Sequence, residues 1–174
     1  RTVLGQLIGA SNYDVGHIAL GNDGGGIAYL GVVGGDYKGG GCTGLPEPKG
    51  DFFAIDYVAH ALGHQFSGNH TFNGNQLNCS GGNRNPATSV EPGSGSSVQA
   101  YAGICLTDDL QPHSDPYFSQ RSQQEMTTYV ASEQLPINET QTVSLRRFGG
   151  GNEVQVATLG PGFADVKTVA PVSS

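Results

Sequence analysis

Positive charge is scarce in this chain: 8 lysines and arginines stand against 15 aspartates and glutamates, for a formal net charge of −7. No Lys/Arg cluster exists that could track a phosphate backbone, so nucleic acid is not an expected partner. There is no run of about 18 apolar residues, and no membrane span is expected. Cysteine is limited to Cys42, Cys79 and Cys105, without a Cys-x-x-Cys pair, so these do not read as a zinc-thiolate site. The glycine-rich stretches lack a following Gly-x-x-x-x-Gly-Lys, which excludes a phosphate-binding loop of that type. The only methionine is Met126. The chain opens at Arg1 with neither an initiator methionine nor the apolar core of a signal peptide, and the expectation is that its beginning has been removed.

What is abundant is glycine, 28 of 174 residues with only 13% charged, which points to tight turns and loops rather than a helical bundle. The length suffices for one domain with a real core.

Chemistry concentrates in one stretch, His60-Ala61-Leu62-Gly63-His64-Gln65-Phe66-Ser67-Gly68-Asn69-His70. Ile55, Val58, Ala59, Leu62 and Phe66 recur at three and four, which predicts a helix with that face inward, Asp51 as its N-cap and an end near Ser67 or Gly68. His60 and His64 then leave one helix face a turn apart, and His70 returns after a glycine-containing turn. Three neutral imidazoles make a metal cradle, and Zn²⁺ suits it best with one coordination position left open. An open position points to a catalytic lineage. His17, beside Gly16, reads as structural, and His113 as a solvated loop residue.

The spacing matches the elongated zinc motif of the metzincin metallopeptidases at all three ligand positions. With Tyr57 to Gly74, Gly81-Gly-Asn-Arg-Asn-Pro-Ala-Thr and the stretch Glu91 to Cys105, the chain resembles bacterial reprolysin-like (adamalysin-type) metallopeptidases over about residues 8 to 132. The resemblance implies an α+β, metzincin-type catalytic domain and hydrolysis of peptide or protein substrates through a zinc-activated water. A complete metzincin sheet needs elements ahead of residue 1, so the expectation is either that an N-terminal portion of its own precursor was cleaved away and is a candidate partner, or that the zinc site stands on a reduced scaffold. The lineage and the acidic surface point to a secreted bacterial protein.

Several positions depart from the pattern. The family's general-base glutamate is Ala61, whose methyl group cannot take a proton, so the chain is expected to be inactive. Either the glutamate has been replaced experimentally or the site has decayed naturally. The motif glycine is Ser67, leaving Gly68 or Asn69 to take the left-handed turn. The methionine expected beneath the metal is Gln99.

Residue patterns and the resemblance together assign the remaining chain. The apolar run Ile27 to Val33 within the glycine-rich stretch reads as an exposed edge strand, with Gly26, Ile27, Ala28, Tyr29 and Leu30 lying along bound peptide. Asn12 to Leu20 reads as a central strand, and Lys38 to Gly50 as loop. Thr71 to Ser97 reads as an ordered excursion, with Ca²⁺ as a second candidate ion at Asn73, Asn75 and Glu91. A Cys79–Cys105 bridge would tie together the two walls of the site, three free thiols being the alternative, and Cys42 would then be unpaired or matched to a cysteine in sequence not present here. Tyr101 is either a donor to the developing oxyanion or simply core. Ser122 to Glu125 reads as a capping box opening a helix through Val130. These readings place the metallopeptidase-like domain at residues 1–136 and a β-rich extension, two strands about a glycine turn, at residues 137–174.

Two functions compete with a peptidase: a peptide-binding pseudoprotease, and a structural or interaction module in which the metal only pins helix to loop.

Overall fold

The computed structural model describes residues 2–22, 24–132, 141–145 and 154–159. The chain divides into two compact units, Arg1–Glu133 and Gln134–Ser174.

The first unit is α+β, as expected. Helix α1 (Thr2–Ile8) and a single 3-10 turn (Ala10–Asn12) precede three short strands, β1 (Ile18–Leu20), β2 (Gly25–Ala28) and β3 (Gly41–Gly44). Their order is β1-β3-β2, with β1 parallel and β2 antiparallel to β3, so that Cys42 pairs with Ile18 on one side and Ile27 on the other. Two expectations need correction. Only Ile18–Leu20 of the predicted strand 12–20 is a strand, and it lies at an edge; the centre is β3, inside a stretch that reads as loop. Gly41-Cys42-Thr43-Gly44 has no alternation to announce it. What it needs is close approach: a Cβ on Gly41 would sit 2.5 Å from His17 Nδ1 and 2.6 Å from Gln65 Oε1.

The apolar run after β2 is also not one strand. Pairing continues for one bond beyond Ala28, from Tyr29 N–H to Gly40 O at 2.9 Å. The chain then turns inward at Gly31, and Val32 and Val33 are buried.

Residues 50–65 form one helical run of three characters: α2 (Gly50–Phe52), a π-helical stretch (Phe53–Ala59) and α3 (His60–Gln65). Lys49 rather than Asp51 is the N-cap, with no side-chain cap; Asp51 sits in the first turn, where its charge favours the helix N-terminus. The wider π turn shifts the register that a 3.6-residue period assumes. Consequently Ile55, Val58, Ala59, Leu62 and Phe66 are only half-buried, while Phe53, Ala61, Gly63 and Gln65 are buried.

The end of α3 explains Ser67. Gly68 N–H donates to Gly63 O at 2.8 Å and Ser67 N–H to His64 O at 2.7 Å, the paired closure of a Schellman motif. Ser67 itself takes the left-handed conformation, φ 75°, so the turn stays where the zinc motif has its glycine and does not slip to Gly68 or Asn69. The segment after β2 completes the cap, with Gly31 N–H bonded to His64 O at 2.9 Å and Val32 N–H to Gln65 O at 2.8 Å. These bonds satisfy carbonyls that a helix end leaves without intrahelical partners.

Beyond the helix, Phe72, Cys79 and Cys105 form a fully buried cluster with Tyr101 packed on it, closed by the Cys79–Cys105 disulfide. Cys42 is a free thiol. Glu91 organises the excursion that follows. Its carboxylate accepts bonds from Ser96 N–H, Ser97 N–H, Ser97 Oγ and Thr71 Oγ1, and its main chain pairs with Thr71 and Asn73.

Helix α4 (Gln120–Ser132) starts earlier than a capping box at Ser122 allows. Ser119 Oγ accepts Ser122 N–H at 3.2 Å, so Ser119 is the cap and Ser122 its N3 residue. In the second unit, β4 (Gln141–Leu145) and β5 (Val154–Leu159) pair antiparallel with an irregularity between Val143 and Ser144. The glycine turn read between them lies outside the described residues. Among the described residues no helix is long and apolar enough to cross a membrane.

Candidate metal centre

Helix α3 presents His60 and His64 on one face, and the Schellman turn carries the chain back so that His70 joins them. Their Nε2 atoms lie 3.0 Å (60 to 64), 3.0 Å (64 to 70) and 3.3 Å (60 to 70) apart. These contacts are not hydrogen bonds. Each Nδ1 faces a backbone carbonyl, His60 to Val98 O at 2.7 Å, His64 to Gly68 O at 2.6 Å and His70 to Asn83 O at 2.6 Å. A carbonyl only accepts, so each Nδ1 carries the ring proton and each Nε2 presents a lone pair. Three lone pairs aimed at one point repel unless a cation stands there. Metal–nitrogen bonds of about 2.0–2.1 Å in tetrahedral geometry require nitrogens about 3.3 Å apart, which fits this donor set. Among the described residues it is the one group of His, Cys, Asp and Glu able to share an ion.

Protonation is opposed from several directions. Burial, then the neighbouring His64 and His70, holds His60 well below the ordinary imidazole value, against the pull of the Val98 carbonyl. Burial also lowers His64. His70 is lowered to about 4, by burial first and His64 second. All three rings are thus neutral at physiological pH, the form that binds metal.

The surroundings hold the rings in place. Gln99, fully buried, donates from Nε2 to Gly68 O at 3.1 Å and lies 3.1 Å from His64 Nδ1, which fixes the carbonyl that orients His64. A Cβ on Gly63 would come within 2.3 Å of Gln99 Oε1, so the helix can lie on this floor only as glycine. Glu125 on α4 accepts both Asn69 N–H (3.0 Å) and Asn69 Nδ2 (3.1 Å), anchoring the residue before His70. Thr88 Oγ1 donates to His70 O at 2.6 Å. The Tyr101 ring lies 4.5 Å from that of His70 and 4.7 Å from Phe72, and burial raises its phenol pKa.

The cradle opens into a cavity of about 590 Å³ lined by the three histidines, Ala61, Tyr57, Tyr101 and the strand β2. Gly26, Ile27 and Ala28 are part of that lining; Tyr29 and Leu30 are not, because the chain turns away after β2. Ala61 is 4% exposed and is part of this lining.

A calcium site is not supported. Asn73 Oδ1 is taken by Arg84, Asn75 Oδ1 accepts Gln76 Nε2 at 2.9 Å, and the Glu91 carboxylate is engaged by Thr71, Ser96 and Ser97. His17 stands apart from the cradle, between Gln65 Oε1 (3.0 Å) and Thr43 Oγ1 (3.1 Å), and His113 packs against the Phe52 ring at 4.6 Å.

Sequence reasoning missed the carbonyls of Val98, Gly68 and Asn83, because any residue type offers a carbonyl. It also missed Glu125 as the anchor of Asn69.

The sequence matches the family model described as Metallo-peptidase family M12B Reprolysin-like over residues 1–131. No curated protein and no solved structure gives a match. With that match covering 131 of the 174 residues and three histidines converging as a zinc motif of this kind requires, the chain belongs to the reprolysin-like metallopeptidases of family M12B.

Proposed function

We propose that this chain carries a zinc endopeptidase site that retains metal and peptide binding and, with Ala61 in place of the general base, cuts poorly. The observation that supports it most directly is the convergence of three Nε2 lone pairs with every Nδ1 proton committed to a backbone carbonyl. His60, His64 and His70 would hold the ion, leaving one corner toward the cavity. Zinc bound there supplies Lewis acidity and lowers the pKa of water toward ~7.

The remaining roles fall to the chain itself. The edge strand β2 is exposed, with Ile27 74% accessible, and its unpaired side offers main-chain donors and acceptors to an extended peptide. Gly26, Ile27 and Ala28 would bind the peptide and set its register beside the cradle. The Tyr101 hydroxyl would donate a hydrogen bond to the scissile carbonyl oxygen as charge develops on it. No group at position 61 can hold the water's proton or pass it to the leaving amine. The disulfide supports an oxidising, extracellular setting.

Ala61 itself favours a second reading, a peptide-binding protein that never cuts. Titration of the metal-stripped chain with Zn²⁺ tests the common ground: one equivalent binds with a rise in melting temperature, and His70→Ala abolishes the rise. Binding unaffected by loss of His70 would refute both readings.

A further inference from the structure

The cavity beside the cradle carries a carboxylate that the reaction does not use. Asp56 lies in the π-helical stretch four residues before His60, and its side chain lines the same cavity as the three histidines. One oxygen, Oδ1, accepts Ser114 N–H at 2.8 Å, which fixes the side chain. Oδ2 has no hydrogen-bond partner among the described residues. Asp56 is also the one carboxylate in the lining, whose other titratable groups are the three neutral imidazoles and the phenols of Tyr57 and Tyr101. The Tyr57 phenol is raised by burial and then by the charge of Asp56, so that charge reaches into the pocket wall.

The lining carries Phe52, Tyr57 and Ile104 as apolar and aromatic members beside the polar Asn78, Asn83 and Ser114. Such a wall suits a long aliphatic stem, and the carboxylate beyond it suits a cationic tip. Asp56 and His60 line this one cavity from the same helical run, four residues apart. The net charge of −7 also attracts cationic peptides.

Resting on the peptide-binding reading above, we propose that Asp56 is a specificity determinant, and that the cavity accepts a lysine or arginine side chain from the peptide residue next to the one held at the metal.

The test uses the full chain loaded with zinc and three short peptide hydroxamates that share a metal-binding group. They differ only in the adjoining side chain: lysine, norleucine or glutamate. All three should bind, with lysine about tenfold tighter than norleucine and glutamate weakest. Asp56→Asn keeps the Oδ1 acceptor for Ser114 and should bring lysine and norleucine within about twofold of each other. Raising the salt from 50 to 500 mM should shrink the unmutated chain's preference in the same direction, so the claim does not hang on the variant's folding. Equal binding of lysine and norleucine, or a preference that survives both Asp56→Asn and salt, overturns the role of Asp56 and leaves the peptide-binding site intact. Failure of every hydroxamate to bind a fully zinc-loaded chain removes the open metal corner, and both readings go together.

Discussion

Restoring a carboxylate at position 61 is the sharpest perturbation available. Ala61 is the residue after the first histidine, 4% exposed, and belongs to the lining of the cavity. A longer side chain at this position would enter the cavity wall that the three histidines share. General-base catalysis contributes about 10²–10⁴-fold in rate, equivalent to roughly 3–5 kcal/mol of barrier at 1.36 kcal/mol per decade. Ala61→Glu should raise cleavage of a quenched fluorescent peptide mixture by at least the lower of these factors, with Ala61→Gln giving no gain because an amide cannot take the proton. Zinc content and melting temperature are measured alongside, so that a change in metal loading or folding is seen. If the variant is folded, holds one zinc and still does not exceed the unmutated chain, the missing base is not what limits this site. The pseudoprotease reading then stands in its place.

Three further outcomes follow from the surrounding structure. Burial alone would raise the Glu91 pKa, but bonds from Ser97, Thr71 and Ser96 outweigh it and the net shift is downward. Its stabilising contribution is therefore present above the unfolded value of 4.5 and lost as pH falls through the lower folded value. Glu91→Gln should cost about 2–3 kcal/mol at pH 7 and flatten the loss of melting temperature below pH 4.5; an unchanged acid limb counts against the network. The disulfide closes a loop with a sequence separation of 26, so replacing both cysteines by serine should cost about 3.5 kcal/mol in urea denaturation. A cost near zero would mean the bridge constrains nothing. Ser67→Gly relieves a left-handed serine and should stabilise by about 0.5–1 kcal/mol after the entropy of the extra glycine is counted; destabilisation would show that the side chain, and not the backbone, matters there.

The cradle was legible because its geometry is local. Histidines four apart on a helix face must converge, and the turn that brings His70 back is written in the same eleven residues. The fold around it was legible only in class. β3 is held as a strand by partners on both sides and by contacts of Gly41 with His17 and Gln65, none of which is a neighbour in sequence. The π-helical stretch defeated the reading of the buried face because an i, i+3, i+4 pattern presumes the α period, and the residues 53–59 do not keep it. Asp51 looked like a cap because its residue type is right; Lys49 holds the position because the helix begins two residues sooner. Tyr29 and Leu30 continued an apolar run, but the chain leaves the sheet to close the helix end instead.

That closure joins two things usually discussed apart. The amides of Gly31 and Val32 are lent to the carbonyls of His64 and Gln65 by the same backbone that, three residues earlier, forms the exposed rim of the cleft. Fraying of the histidine helix thus requires the rim to let go first, and tension on the rim is passed to His64. Deuterium uptake at those two amides becomes a gauge of the cradle: slow when an ion braces the rings, faster when it is stripped, and slowed again when a ligand lies along β2.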